Sequence, residues 1–352
     1  MELEARRRRR LSTALKVGIA IVVVGIVIFG DAIAPYGYEK QVRNEPNAPA
    51  SSIHFRDAEG NIHLRPFVYR RQLVDRLGYG YEEMSDRAYP LSMLVRGDEY
   101  SLIGLFSSDI HIFGTEDPEV RITLLGTDQL GRDRFSRLVI ALRFSLIVCL
   151  VGTLLASLIG IIVGMISGFS GRLVDSALMG ITDSVMALPT LILILAARAA
   201  FPLELPPFRA ATLLIMIFAL AGWAEMARLA RGLVRATREQ DYVAAAKGVG
   251  TSEPMILFRH IFPNIAPALI TQATIMLPYF LLSEVALSFL GVGLQEPVPS
   301  LGNMLAAASD LGQLQQHPFL LLSPAVVIFI FVLFVRLISA NFQRSGRGSQ
   351  LV

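Results

Sequence analysis

The sequence predicts an all-α polytopic membrane protein with six transmembrane helices and a β-containing external insertion between the first and second helices. The first observation is composition: of 352 residues, 53% are hydrophobic and 17% are charged, whereas an ordinary globular chain is about 25% charged. The second is distribution, because charge is concentrated in residues 36–138 while much of the rest forms apolar blocks about 20 residues long, enough to cross a bilayer. A cytosolic enzyme with one water-soluble core is thereby excluded.

Six apolar blocks define the predicted spans. They cover residues 12–34, 144–171, 176–197, 210–227, 261–283 and 318–335. Each is too long for a strand and too apolar for a surface helix. The first is predicted to be retained rather than cleaved as a signal peptide, because its apolar core lacks a small-residue cleavage site and is followed by Asp31 and Pro35.

The predicted organisation has four parts. They are a basic tail with the first span (1–35), the external insertion (36–125), the membrane core with a cytoplasmic loop at 238–264 (126–343), and a C-terminal tail (344–352). The net charge of +3 gives no indication of nucleic-acid binding.

The arginine and lysine content of short loops predicts the orientation. Basic residues lie in four segments: the N-terminal tail, the short loop that holds Arg172, residues 228–259 and the C-terminal tail. These segments share one side of the membrane if there are six spans. The only basic residues in the short loops on the other side are Arg198 and Arg209. We therefore expect both termini to be cytoplasmic and the insertion to be external.

Small residues recur every four positions in the second predicted span. They are Gly152, Ala156, Gly160, Gly164 and Gly168. Small side chains at this spacing let another helix backbone approach closely. The simplest interpretation is helix packing, and the alternative is an interface that moves during function.

The insertion contains alternating runs typical of short strands. Residues 53–56 and 62–65 flank a turn at 57–60, which predicts a β-hairpin, and 110–113 and 120–124 are predicted as further strands. In such a hairpin His54 and His63 would lie opposite each other and could hold a metal. The alternative, favoured because no third ligand is evident, puts both histidines on the solvent face, with the neighbouring apolar residues facing inward.

A polar segment precedes the second span. It reads Gly-Thr-Asp-Gln-Leu-Gly-Arg-Asp over 126–133, and Asp133 can cap the next helix. Phe135, Leu138, Val139 and Leu142 share a face, which predicts an interfacial amphipathic helix leading into the span.

The segment from Arg238 to Asn264 predicts an elbow of two short helices on the cytoplasmic surface. A helix over 239–247 is stopped by Gly248 and Gly250, and a second begins after Ser252 and ends at Pro263 and Asn264. Its alanines and glycines leave a smooth surface that suits a groove on a partner protein. No nucleophile, base or metal-binding set is present, so no catalytic residue is predicted.

With these residues the chain resembles the permease subunits of binding-protein-dependent ABC importers. Ala245, Ala246, Gly250 and Pro263 match that family's coupling-loop pattern, and Ala244 aligns with its first position. The C-type subunit of the oligopeptide, dipeptide and nickel branch is the closer match, through the segments 126–128, 131–133, 260–264 and 284–291. The resemblance covers residues 126–310 well.

The resemblance implies a pathway formed with a second, homologous permease. Two ATP-binding cassette subunits would dock on the elbow, bind ATP and Mg²⁺, and drive the change between inward- and outward-facing states, and an external binding protein would deliver the substrate. The chain itself contains no G-x-x-x-x-G-K-[ST] phosphate loop. It is therefore expected not to be an enzyme, with no cofactor of its own.

The predicted coupling residues are Asp241, Ala244, Ala245, Ala246, Gly250, His260, Pro263 and Asn264. The chain departs from the family pattern at Ala244, where the family has glutamate and where Asp241 could substitute. The ending at 336–341 also differs from the one typical of the branch.

Acidic residues inside the spans cost free energy unless they face protein or water. Asp183 and Glu284 are candidate pathway-lining residues, with helix–helix hydrogen bonding as the alternative, whereas Glu225 lies near a membrane surface. Pro189 and Pro278 are predicted to kink the third and fifth spans.

Three classes of function remain to be compared. A peptide importer leads, with nickel or oligosaccharide as alternative substrates of the same branch. A stand-alone secondary transporter would need internal repeats and coupling residues at mid-membrane, and an intramembrane enzyme would need a catalytic set at matching depth. The sequence indicates neither of these two.

Overall fold

The computed structural model describes residue 18 and residues 24–348, apart from 77, 103–105, 118 and 308–317. The basic tail at Arg6–Arg10, most of the first half of the first predicted span and residues 349–352 lie outside the described residues. The chain divides into two units. We call Val17–Ser145 with Leu294–Val327 the sheet unit, and Leu146–Gly293 with Ile328–Val352 the helical unit.

The sheet unit contains a four-stranded antiparallel sheet that follows helix α1 (Val24–Ile33). Its strands lie in chain order: β1 (His54–Arg56), β2 (Ile62–Asp75), β3 (Gly80–Leu102) and β4 (Phe106–Thr115). The predicted hairpin is confirmed, because Arg56 pairs with Ile62 across the turn.

The interior of the sheet unit differs from the prediction. Val68, Val120 and Ile122 form its buried core. The segment 120–124 supplies that core as irregular chain and not as a strand, whereas 110–113 does lie in β4. The apolar residues expected to face inward around the hairpin are exposed, with Leu64 the most exposed of them.

The helical unit begins within α2 (Arg134–Phe169) and continues through α3 (Arg172–Met186), α4 (Thr190–Ala199) and α5 (Pro207–Arg238). The elbow then comprises α6 (Asp241–Gly248) and α7 (Glu253–Met255), followed by a π-helical segment (Ile256–Ile261) and α8 (Phe262–Phe289). The remaining helices along the chain are α9 (Leu301–Ala306) and α10 (Pro318–Gly348).

Three described helices are long and apolar enough to cross a membrane: α2, α5, and the continuous stretch Glu253–Phe289. The pair α3 and α4 makes a fourth if it is one span bent by 80°. This bend falls at Pro189 and bears out the kink predicted there. The first and sixth predicted spans contain shorter apolar helices, Val24–Ile33 and Leu322–Leu337, so the count of six remains a prediction.

The small-residue stripe of α2 packs against α5. A Cβ atom at Gly160 would lie 2.5 Å from the carbonyl oxygen of Trp223, and one at Gly168 would lie 2.9 Å from that of Arg231. Side chains larger than hydrogen therefore cannot occupy these positions without separating the helices. The packing interpretation of the stripe is confirmed.

The amphipathic helix predicted before the second span is not a separate element. Residues from Arg134 onward are already part of α2, and both Arg134 and Arg137 are buried. Arg134 Nε donates to the carbonyl of Thr127 at 2.9 Å, and Arg137 binds the Glu296 carboxylate at 2.8 Å. Protein partners satisfy these charges, which removes the need for an interfacial position.

Candidate functional site

Helix α6 of the elbow ends in a left-handed turn at Gly250. The N–H of Gly250 donates to the carbonyl of Lys247 at 3.0 Å, and the N–H of Thr251 donates to that of Ala246 at 3.1 Å. This is the Schellman arrangement, which satisfies the carbonyls at a helix end and places its central residue at positive φ. Gly250 has a φ of +81°, a region that L side chains rarely adopt.

A hydrogen-bonded clasp joins the two arms of the elbow. Asn264 Nδ2 donates to the hydroxyl of Tyr242 at 2.9 Å and to the carbonyl of His260 at 2.7 Å. Helix α6 also packs against the π-helical segment, and Val243 and Ala246 of α6 are buried. The angle between the arms is thus fixed by side chains as well as by the turn at Gly250.

The predicted coupling residues divide by exposure. Asp241, Ala244, Ala245, Gly250, Pro263 and Asn264 are exposed, His260 is half-buried, and Ala246 is buried. Ala246 therefore supports the elbow from within, while Ala244 and Ala245 present a smooth outer face.

The second arm of the elbow departs from the prediction. Helix does not end at Pro263, because proline is tolerated in the first turn of α8 and the chain stays helical from Glu253 to Phe289. Ser252 occupies the N-cap position of α7 without a side-chain capping bond. The first arm begins at Asp241 rather than at residue 239.

Large apolar side chains are exposed on the elbow among its charged and polar residues. Val249 and Phe258 are 82% and 66% exposed, and Tyr242 and Met255 are also exposed. Large apolar side chains grouped on a surface mark a site that another molecule covers. The arrangement can offer shape and apolar area to a partner, and it contains no acid–base or nucleophilic set.

Arg238 ties the start of the elbow to the membrane helices. Its Nη1 donates to the carbonyl of Phe169 at 2.9 Å, and its guanidinium lies 4.7 Å from the centre of the Phe169 ring. A displacement of the elbow would therefore pull on the end of α2.

Sequence reasoning missed a charged cluster that joins three helices of the helical unit. Asp175 on α3 is buried and accepts from Arg231 Nε at 2.5 Å, from Arg235 Nη2 at 2.5 Å and from Ser167 Oγ at 2.6 Å. The sequence features that could have indicated this cluster are two arginines four residues apart on α5 and an aspartate in the first turn of α3. We call these four residues the Asp175 cluster.

The structure does not bring the two candidate pathway residues together in a shared site. Asp183 forms an ion pair with Arg228 and is exposed. Glu284 is fully buried and accepts from Ser288 Oγ at 2.8 Å. Their role as pathway-lining residues remains a prediction.

The pairing of His54 with His63 across the hairpin, which was the less favoured alternative, is wrong. A register shift in β1 puts Phe67, and not His63, opposite His54. His54 Nε2 lies 2.9 Å from Glu83 Oε2, and His63 lies 2.8 Å from Asp57 Oδ2, where its hydrogen bond lowers the pKa of Asp57 to about 2. Among the described residues no group of three or more His, Cys, Asp or Glu could hold a metal ion.

The polar segment before α2 forms a compact turn within the sheet unit. Asp128 Oδ1 accepts from the N–H groups of Leu130 and Arg132 at 2.9 and 3.0 Å, and Thr127 bridges to Asp133. Asp133 caps α2 by accepting from the N–H of Ser136 at 2.7 Å, as predicted. This turn positions Arg132, whose Nη1 donates to Glu296 at 2.7 Å.

Comparison with known proteins adds a family to this geometry. Residues 160–347 match the family model described as the binding-protein-dependent transport system inner membrane component. The oligopeptide transport system permease protein OppC of Bacillus subtilis is 33% identical over 223 residues, 63% of this chain and 70% of that protein. OppC of Lactococcus lactis strain IL1403 is 36% identical over 63% of this chain and 74% of its own.

A further relative and a solved structure are similar. The probable peptide ABC transporter permease y4tQ of Sinorhizobium fredii is 38% identical over 60% of this chain and 70% of its own. A chain from an inward-facing structure of the MetNI methionine ABC transporter has a TM-score of 0.45 at 17% identity, covering 60% of this chain and 96% of its own.

Proposed function

The chain belongs to the family of binding-protein-dependent transport system inner membrane components, and we propose that it is a permease subunit of a peptide importer. The family and the apolar helices make it a multi-pass inner membrane protein. The peptide substrate is supported by the names of several relatives, which are oligopeptide and peptide permeases.

The elbow is the observation that carries the proposed mechanism. It presents an exposed apolar face whose two arms are held at a fixed angle by Gly250 and by the Tyr242–Asn264 clasp. We propose that one of two partner ATPase subunits docks on this face, and that ATP and Mg²⁺ are bound there and not by this chain. Closure of the ATPases would push the elbow as a unit.

Movement of the elbow would be transmitted through the helices that carry it. The second arm is continuous with α8, and the first follows α5, whose end binds Phe169 through Arg238. The Asp175 cluster links α5 to α2 and α3, so these helices would move together. A second permease subunit would complete the pathway, and an external binding protein would deliver the peptide.

Substitution of Gly250 tests this proposal. Gly250→Val places a β-branched side chain at positive φ, which is strongly disfavoured, and should weaken ATPase retention or abolish stimulation by the loaded binding protein. Gly248→Ala is the matched control, because it lies inside the helix with open space around its Cβ position. Both properties are measured on the purified complex.

The membrane-inserted amount of the chain should be the same for both variants. Wild-type ATPase retention together with wild-type stimulation in Gly250→Val would rule out the elbow as the transmission element. Loss of both properties in Gly248→Ala as well would mean that the partner depends on the surface of the elbow and not on the turn at Gly250.

A further inference from the structure

The sheet unit contains a cavity that the proposed transport mechanism does not use. It has a volume of about 590 Å³ and lies between the segment 42–45, strand β2 and the segment 119–121. Pockets of roughly 300–1,000 Å³ are the usual size for small-molecule ligands. All of its lining residues belong to the sheet unit.

The charged lining residues of the cavity are mainly basic. They are Arg43, Arg70, Arg71, Arg76 and Arg121, against Glu45 and Glu119. Both acids are already engaged: Glu45 lies 3.3 Å from Arg121 Nη1, and Glu119 lies 3.5 Å from Arg70 Nη1. The other three arginines, Arg43, Arg71 and Arg76, form no ion pair with any described carboxylate.

Two of the arginines are held in place by other groups. Arg71 donates to the carbonyl of Pro49 and, at 2.9 Å, to Thr123 Oγ1. Its burial lowers the pKa of its guanidinium, although the carboxylate of Glu45 opposes this. Arg121 lies 4.4 Å from the centre of the Tyr36 ring, and its Nε and Nη2 have no hydrogen-bond partner among the described residues.

Most of the cavity lining is polar, and a smaller part of it is apolar. Val42, Leu73, Met84 and Val120 line it together with Tyr69. A guanidinium group recognises a carboxylate through two parallel hydrogen bonds, and apolar walls favour a ligand that carries an apolar group beside its acid. An inorganic anion would leave these walls uncovered.

We propose that this cavity binds the carboxylate end of an amino acid or short peptide, with Arg43 and Arg76 as its accessible anion-binding residues. The choice of a peptide rests on the proposed transport function, whereas the charge and the apolar walls are features of the cavity itself. Bound there, a peptide terminus would neutralise the excess positive charge and bury its last side chain.

Binding can be measured on the full-length chain in nanodiscs by isothermal titration calorimetry. The probes are the tripeptide Ala-Leu-Phe, the same tripeptide with a C-terminal amide, and inorganic phosphate. The amide removes the carboxylate and keeps everything else, so it should bind roughly tenfold or more weakly, the loss of a charge-assisted hydrogen-bonded pair. Raising the salt concentration should weaken the binding of the free-acid tripeptide, because salt screens the charge of exposed arginines.

Two variants connect the binding to the named residues. Arg43→Gln combined with Arg76→Gln should weaken tripeptide binding by a similar factor, and both positions are exposed, so folding should persist. Arg65→Gln is the single-charge control, since it removes one positive charge from an exposed position of β2 outside the cavity lining. Unchanged unfolding temperatures verify that all variants are folded.

Three outcomes would overturn the proposal. They are equal binding of the acid and the amide, phosphate binding as tight as that of the tripeptide, and binding unaffected by the double substitution. These outcomes would leave the elbow experiment intact, because that experiment reads ATPase coupling. Conversely, failure of the elbow prediction would not alter the calorimetric result.

Discussion

At the residue scale, Asp175 forms two ion pairs, more than any other carboxylate among the described residues of the helical unit. It is buried and faces two arginines of α5, whose side chains are 27% and 46% exposed. Removal of one partner from a buried ion pair typically costs about 3–5 kcal/mol, because the remaining charge is left without compensation. The partial exposure of the arginines places the expected cost at the low end.

Asp175→Asn should therefore lower the free energy of unfolding by about 3 kcal/mol. The measurement is unfolding by sodium dodecyl sulfate in mixed micelles. Glu239→Gln serves as the control, since it removes one negative charge from an exposed position next to the elbow that has no ion pair in the described structure, and it should change the value by less than about 0.5 kcal/mol. Equal effects of the two substitutions would contradict the importance of the cluster.

Asp133 provides a pH-dependent test. Burial raises the pKa of its carboxyl group from 3.8 to about 6, even though Ser136 donates two hydrogen bonds to it. A raised pKa in the folded state means that folding favours the protonated form. The stabilising contribution is therefore present below about pH 4 and is lost as the pH rises through about 6.

Asp133→Asn should remove this dependence, because asparagine caps a helix as well as aspartate does and carries no charge. The difference in the free energy of unfolding between wild type and variant should change by about 3 kcal/mol between about pH 4 and about pH 7, in favour of the variant at the higher pH. Thermal unfolding at both pH values measures it. A constant difference would show that Asp133 titrates normally.

The sequence could predict single residues only where local chemistry decides their role. Asp133 as a helix cap and Gly250 as part of a helix stop depend on neighbours within five positions, and both predictions are confirmed. Asp175 and the Tyr242–Asn264 clasp depend on residues 22 to 60 positions away. Such pairs are fixed by how helices pack, which a single sequence does not contain.

At the element scale, the interface between α2 and α5 is a close backbone approach that can be tested directly. Gly160→Ala adds one methyl group that would lie 2.5 Å from the carbonyl of Trp223. Such overpacking costs about 1–3 kcal/mol. Gly232→Ala on α5 is the control, because it meets no atom within 4 Å and should be neutral or stabilising by up to about 1 kcal/mol.

Unfolding in mixed micelles and the yield of assembled complex measure both variants. Equal stability of Gly160→Ala and Gly232→Ala would mean that the two helices separate at no cost. A transport assay on the same variants distinguishes packing from motion, because a moving interface would lose transport activity before it loses stability.

Elements were predictable where one physical requirement dominates. In hydrocarbon every backbone polar group must be satisfied internally, so long apolar blocks predict helices. Four blocks do correspond to α2, the α3–α4 pair, α5 and α8. The β1 register and the π-helical segment were not predictable, since a shift in backbone pairing changes local hydrogen bonds without changing composition.

At the scale of the whole molecule, the distribution of positive charge determines the expected orientation. The arginines of the Asp175 cluster and Arg238 lie at the end of α5 that leads into the elbow. Arginines next to spans remain on the cytoplasmic side. The elbow is therefore expected in the cytoplasm and the sheet unit's hairpin outside, which is the arrangement that a partner ATPase and an external binding protein both require.

Cysteine labelling at two positions tests this orientation. The background variant is Cys149→Ser, which removes the single native cysteine of the sequence. Glu59→Cys lies in the exposed hairpin turn, and Val249→Cys lies in the elbow, where the native residue is 82% exposed. A membrane-impermeant maleimide should label Glu59→Cys in intact cells and should label Val249→Cys only after permeabilisation. Expression without the ATPase subunits keeps position 249 uncovered, so protection in intact cells can come only from the membrane. Labelling of Val249→Cys in intact cells would show that the elbow lies outside, where it could not contact a cytoplasmic ATPase.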